Sequence, residues 1–316
     1  MPKGAVLTHA CYSLNICAII ECQKLSSADC LCQPLPFFHI YGLVMTLAAL
    51  GAGAAVAPIE RFQAQSLLEV MEQCHVTQIC GTPTMYIAAL KELDNRTYNL
   101  SALQGGTISG ASCAPELVEA IAAKLGARQL GIVYGMTEAL CTMNCPEDSL
   151  QRRSGTVGTI MPDRELKIID PASGQTVPPG VTGELCVRGA PVIKEYYGMP
   201  QETAAVIDAD GWLHSGDLAQ VDDGGYYSIK GRLKDIIIRG GENIYPAEIE
   251  RFLFTHPKVA DAQVIGIPCA YYGEEVVAFV RLRPGFTATS LELKRFCREQ
   301  IALFKVPAKF FFVEQY

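Results

Sequence analysis

Between Ser66 and Cys74 the apolar residues fall at Leu67, Leu68, Val70 and Met71, the spacing of one helix face. Gln78 to Gly81 reads as a short strand closing on Gly81-Thr82-Pro83. Pro115 to Leu125 returns to the helical period. Pro115 sits in its first turn, where a missing N–H is harmless, and Leu117, Val118, Ile121 and Leu125 form the apolar face. Leu130 to Tyr134 is another short apolar strand. The run from Leu43 to Ala57 is interrupted by Gly51 and Gly53 and reads as a helix, a glycine turn and a short buried strand. Strands alternating with helices predict a parallel sheet covered on both faces. Ligands of such sheets sit at the carboxyl ends of the strands, so the loops after Ile79 and after Tyr134 are the places to look.

From Ser154 to Lys230 the period shortens to two. Glu165 to Ile169, Gly183 to Arg188, Leu218 to Val221 and Tyr226 to Lys230 are alternating runs separated by Pro and Gly. Asp222-Asp223-Gly224-Gly225 has the composition of a hairpin turn. A small antiparallel sheet or barrel is expected here. Beyond Gly231 a third pattern begins. Pro246 opens a helix with Ile249, Phe252 and Leu253 on one face, and Ala262 to Gly266 and Val276 to Leu282 read as strands. Thr289 and Glu292 form a capping box for a helix that presents Leu293, Phe296, Ile301 and Phe304. Phe310 to Val313 is a last strand.

Composition narrows the classes. The chain of 316 residues is 49% hydrophobic and 19% charged, too apolar and too weakly charged for disorder. Its length suits two domains, or a large one and a small one. A net charge of −7 argues against general nucleic-acid binding, so an anionic ligand must be held by local donors. The 13 cysteines are scattered, with no CxxC and no second cluster, which points to reduced thiols rather than disulfides or zinc. No run reaches the roughly 20 apolar residues of a spanning helix. No small-residue cleavage site follows the apolar patch at Ile16 to Ile20. A cytoplasmic protein is expected, or one of the mitochondrial matrix if a transit peptide precedes Met1.

Four segments carry candidate chemistry. Pro2-Lys3-Gly4-Ala5 places a lysine beside glycine at a loop-to-helix junction, where backbone N–H groups can meet phosphate, or is an ordinary surface lysine near a terminus. Tyr134-Gly135-Met136-Thr137-Glu138 ends an apolar strand. There the Tyr offers a flat face for a base, the Gly a close backbone approach, the Thr a hydroxyl and the Glu a hard oxygen for Mg²⁺, or the segment is a solvated loop with a core Tyr. Ser215-Gly216-Asp217 offers a carboxylate to the two hydroxyls of a ribose, or is an ordinary turn. Gly231-Arg232-Leu233-Lys234-Asp235 leads through Ile236-Ile237-Ile238 to Gly240-Gly241-Glu242-Asn243-Ile244-Tyr245-Pro246. It joins the second pattern to the third and suits a hinge, or is a solvated linker.

Taken in this order, the segments resemble the adenylate-forming superfamily of acyl-CoA synthetases, aryl-CoA ligases, luciferase and peptide-synthetase adenylation domains. Gly81-Thr82-Pro83, Gly183-Glu184-Leu185-Cys186-Val187-Arg188-Gly189 and Gly240-Gly241-Glu242-Asn243-Ile244-Tyr245-Pro246 look most like its fatty acyl-CoA synthetase branch. The resemblance implies an α/β fold with a partial doubly wound sheet and a small antiparallel β-barrel subdomain at 151–233. Together these would form a domain over 1–233, followed by a small mobile α+β domain over 234–316. It implies the cofactors and substrates ATP, Mg²⁺, CoA and a carboxylic acid.

By position it assigns Lys3 to the phosphate loop. Tyr134 would stack on adenine beside Gly110 and Ala111, with Gly135 next to it. Thr137 would touch the α-phosphate and Glu138 would hold Mg²⁺. Asp217 and Arg232 would bind the ribose, Lys234 would be the hinge, His39 would lie near the acyl channel, and Gly240 and Gly241 would line the pantetheine tunnel. The implied activity is formation of an acyl-adenylate with release of pyrophosphate, then of a CoA thioester. The alternatives are an aryl-acid ligase, a ligase that loads a carrier protein, or a non-catalytic nucleotide-binding relative. The family has a Ser/Thr/Gly-rich stretch before Pro-Lys-Gly and a further lysine beyond the last strand, and this sequence has neither. The expectation is therefore an internal piece of a longer enzyme that does not catalyse the overall reaction by itself.

Overall fold

A computed structural model describes residues 3–111 and 113–314. The chain divides into two compact units, Met1–Ser215 with Gln220–Ser228, and Gly216–Ala219 with Ile229–Tyr316.

The first unit is organised by a seven-stranded sheet. Its order is Ala55–Pro58, Cys30–Gln33, Gln78–Gly81, Gly105–Ile108, Gln129–Met136, Ala139–Met143, Thr159–Ile160. The first five strands are parallel and the last two are antiparallel. Side chains alternate across a strand, so each central strand feeds two cores. Cys32, Ile79 and Ile132 join Leu67, Leu68, Met71, Tyr86, Val118 and Ile121 on one face. Their neighbours Leu31, Cys80 and Val133 join Ile19, Tyr41, Val44, Met45 and Ala48 on the other. Helices Ala64–Gln73, Pro83–Glu92 and Pro115–Ala120 thus cover one side, and His9–Gln23 and Ile40–Gly51 cover the other. This is the two-faced sheet that the apolar pattern predicts. The helix, glycine turn and strand expected across Leu43 to Ala57 are Ile40–Gly51, a turn at Gly53 and Ala55–Pro58.

The alternating region forms an open sheet of order Tyr227–Arg232, Leu213–Val221, Gly183–Gly189, Arg164–Ile169. Among the described residues its two outer strands do not pair, so the expected barrel is not closed. Four strands would enclose no room for side chains; about eight are needed for an interior that side chains just fill. The Asp222 turn is as expected. The Asp222 carboxylate accepts from the N–H of Gly224 and of Tyr226, at 2.9 and 3.0 Å.

The second unit holds a five-stranded sheet. Glu242–Ile244, Ile237–Arg239, Gly273–Leu282 and Val259–Cys269 follow in order, and Lys309–Phe312 lies parallel to Gly273–Leu282. Helices Pro246–Phe254 and Ser290–Arg298 bury Ile249, Leu253, Leu293 and Cys297 against it. The Thr289 hydroxyl accepts from Glu292 N–H at 3.1 Å, the N-cap half of the expected box, while Glu292 Oε1 is turned to Lys258 Nζ at 2.7 Å. Ile301 and Phe304 lie beyond this shorter helix and reach the core from the turn that follows. Among the described residues no helix is long and apolar enough to cross a membrane.

Candidate functional site

Two neighbouring strands of the large sheet end together, and the third beside them runs on. Gln78–Gly81 runs into Thr82, Gly105–Ile108 into Ser109-Gly110-Ala111, and the Ser109 N–H donates to the Gly81 carbonyl at 3.2 Å. Gly110 and Ala111 are exposed there. The third strand departs from expectation. It continues past Tyr134 to Met136 and folds back through a two-residue turn, Thr137-Glu138, onto Ala139–Met143. Tyr134 is therefore a half-buried strand residue rather than the start of a loop, with Thr137 exposed and Glu138 half-buried at the tip. Gly135 is explained by the hairpin itself. A Cβ there would stand 2.7 Å from Leu140 Cα, so the partner strand already excludes a side chain.

Three distant segments meet at that tip. Ala5–Val6 pairs antiparallel with Glu195–Tyr196, and Lys194 N–H donates to the Val6 carbonyl at 3.0 Å. Ile193 N–H donates to the Glu138 carbonyl at 2.9 Å. Tyr196 joins the two predicted charges. Its hydroxyl donates to Glu138 Oε1 at 2.5 Å, and Lys3 Nζ lies 4.6 Å from the centre of its ring. The phenol is held well above its ordinary pKa, first by burial and then by the Glu138 carboxylate, so it stays the donor. Lys3 precedes a two-residue strand, and the helix begins only at His9; the expected loop-to-helix junction is absent. Pro2, which precedes it, lies outside the described residues.

Sequence reasoning missed Tyr196. The available signal was the pair Tyr196-Tyr197. On a strand one of two consecutive aromatics must turn inward, and here Tyr196 is 5% exposed and Tyr197 78%.

His39 is exposed and caps the helix Ile40–Gly51, its Nδ1 accepting from Tyr41 N–H at 3.1 Å. In the second unit, Arg232 Nε stands 3.5 Å from Asp217 Oδ1. Lys234 is exposed in the short turn Leu233–Asp235. Gly240 and Gly241, with φ of +59° and +88°, are the two-residue turn between Ile237–Arg239 and Glu242–Ile244. Positive φ at both positions is what such a tight hairpin turn demands.

One further cluster offers metal-type donors. Glu184, Cys186 and His214 bring three donor atoms within 4.8 Å of one another. His214 Nδ1 already lies 3.0 Å from Glu184, and its Nε2 lies 3.6 Å from Asp208. Burial, reinforced by Glu184, pushes the Cys186 thiol up to about 12, away from the thiolate a metal would need. The cluster is a histidine bridged by two carboxylates.

Residues 1–197 match the family model of AMP-binding enzymes, and residues 248–316 match that of the AMP-binding enzyme C-terminal domain. The chain is 43% identical over 318 residues to a putative acyl-CoA synthetase, YngI, of Bacillus subtilis. That alignment covers all of this chain and 58% of YngI. It is 39% identical over 323 residues to the mitochondrial medium-chain acyl-CoA ligase ACSF2 of Rattus norvegicus, covering all of this chain and 52% of that protein. The chain thus spans little more than half the length of these relatives. Among solved structures, ATP-bound MatB of Rhodopseudomonas palustris superposes with a TM-score of 0.93 at 32% identity, over 99% of this chain and 62% of MatB. The o-succinylbenzoate CoA synthetase MenE of Bacillus subtilis, in complex with its acyl-adenylate, gives 0.87 at 31% identity, over 99% of this chain and 63% of MenE.

Proposed function

The chain belongs to the AMP-binding enzyme family, and from that membership we propose that its residues serve an AMP-forming acyl-CoA synthetase acting on a fatty acid. A carboxylate oxygen would bond to the α-phosphorus of ATP as the bond to pyrophosphate breaks. The CoA sulfur would then bond to the acyl carbon as AMP leaves. The observation that carries the reading is the meeting of Lys3 and Glu138 on Tyr196, with Thr137 next to Glu138 in the turn that ends the strand Gln129–Met136. Lys3 would meet the phosphates as a point charge. Thr137, exposed at the hairpin tip, would offer its hydroxyl to the α-phosphate. Tyr134 would present its ring to adenine, with Gly110 and Ala111 alongside.

The donor set suits Mg²⁺, which takes one or two carboxylates and fills its remaining positions with phosphate oxygens and water. Glu138 would supply that carboxylate. When bound, the ion neutralises charge that develops on the phosphates. In the second unit Asp217 and Arg232 would hold the ribose, Lys234 would act as the hinge between the half-reactions, and Gly240-Gly241 would leave passage for pantetheine. The name of the ACSF2 relatives, medium-chain acyl-CoA ligase, supports an acid of medium chain length, and that of MenE, o-succinylbenzoate CoA synthetase, supports the aryl-acid alternative. The test is pyrophosphate exchange with a panel of aliphatic and aromatic acids, followed by thioester formation with CoA. Exchange with an aliphatic acid and transfer to CoA is the expected result. Exchange only with aromatic acids, transfer only to a carrier protein, or no exchange in the full-length protein would each overturn it.

A further inference from the structure

We propose that Tyr196 is the positioning residue that presents the Glu138 carboxylate. The inference rests on the reading of Glu138 as the carboxylate that meets Mg²⁺.

Glu138 occupies the tip of a two-residue turn, where a flexible side chain ordinarily samples several rotamers. Here the same short segment holds it at both ends. Ile193 N–H binds its carbonyl at 2.9 Å, and the Tyr196 hydroxyl binds Oε1 at 2.5 Å. Tyr196 is itself fixed. Its backbone N–H donates to Thr203 Oγ1 at 2.9 Å, its strand pairs with Ala5–Val6, and its side chain is buried. A phenol has one hydrogen to give, and it is given to Oε1. That bond fixes the direction of the carboxylate and leaves Oε2 outside it, the oxygen that would meet a cation. The arrangement is the outer-shell hydrogen bond that orients a ligating carboxylate. The ring does a second thing at no further ordering cost: it carries Lys3 on its face, so the predicted phosphate-binding lysine and the predicted Mg²⁺ carboxylate share one rigid support.

The test uses Tyr196→Phe and Glu138→Gln in the protein expressed from its complete reading frame. ATP binding is titrated at equilibrium against Mg²⁺ with no acid present, so turnover plays no part. Tyr196→Phe keeps the ring under Lys3 and removes only the hydroxyl. Its Mg²⁺ midpoint should rise roughly 10-fold or more, with the Mg²⁺-free ATP affinity and the melting temperature unchanged. An unchanged midpoint overturns the proposal. So does a fall in melting temperature or an equal loss of Mg²⁺-free affinity, because either assigns Tyr196 to packing. Glu138→Gln separates the two levels. If it raises the midpoint and Tyr196→Phe does not, the positioning role alone fails. If it leaves the midpoint in place, the reading of Glu138 fails first.

Discussion

Arg232 Nε and Asp217 Oδ1 stand 3.5 Å apart, the guanidinium 63% exposed and the carboxylate 16% exposed. With its cation this exposed and the partners 3.5 Å apart, the pair itself adds little to stability. If the pair meets a ligand as proposed above, it offers an oriented acceptor with a cation beside it. Asp217→Ala should lower ATP affinity by about 10–100-fold, the equivalent of the roughly 1.5–3 kcal/mol that a charged hydrogen bond contributes. Melting should shift little. Equilibrium binding with ATP checks this, and ATP affinity unchanged in a folded Asp217→Ala variant removes Asp217 from the site.

Tyr134 lies half-buried on the strand that leads to the Thr137-Glu138 turn. Tyr134→Ala should cost about 1–3 kcal/mol of nucleotide binding through lost stacking, and Tyr134→Phe should cost much less. Equal losses in the two variants would assign the effect to the hydroxyl and refute stacking.

Lys234 sits exposed in a three-residue turn, and Pro there would fix one backbone angle. Lys234→Pro should slow thioester formation from a supplied acyl-adenylate more than it slows pyrophosphate exchange. Equal loss in both half-reactions, measured on a folded variant, contradicts the hinge.

The second unit should lose stability in mild acid. His256 Nδ1 accepts the Lys258 N–H at 3.3 Å, and the ring stands edge-on to Phe296 at 4.8 Å. Burial holds its pKa below the ordinary 6.5, against the opposing pull of Glu292. The folded state therefore binds fewer protons than the unfolded chain in this window, and stability rises with pH. The stabilisation is intact above about 6.5 and declines as pH falls towards the folded pKa. Thermal melting from pH 7.5 to 5 should show the decline, and His256→Gln should flatten it. A parallel decline in His256→Gln would falsify the assignment.

Much of the fold was legible because it is local. The strand Gln78–Gly81, the Pro115 and Pro246 helix starts, the Thr289 cap and the Asp222 turn each depend on residues within a few positions of one another. The extension of the strand to Met136 was hidden because Gly135 looks like a loop residue until Leu140 of the partner Ala139–Met143 is paired with it. Tyr196 was hidden for a stronger reason. Its partners Lys3 and Glu138 lie far away along the chain; the pairing of Ala5–Val6 with Glu195–Tyr196 brings in the first, and the Ile193 N–H bond to the Glu138 carbonyl brings in the second. The individual site residues came from motif resemblance; the aromatic that joins two of them did not.

The two cores on either side of the large sheet impose a rule of parity. Cys32, Ile79 and Ile132 face one core while Leu31, Cys80 and Val133 face the other. Inserting or deleting one residue within such a strand would exchange the two sets and send each into a cavity shaped for its neighbour. Changes of length inside these strands are therefore tolerable only in twos. The segments at their carboxyl ends, Thr82, Ser109-Gly110-Ala111 and the tip at Thr137-Glu138, are under no such arithmetic. Divergence in length between this protein and its kin should accumulate there, at the rim of the sheet, while the strands beneath keep count.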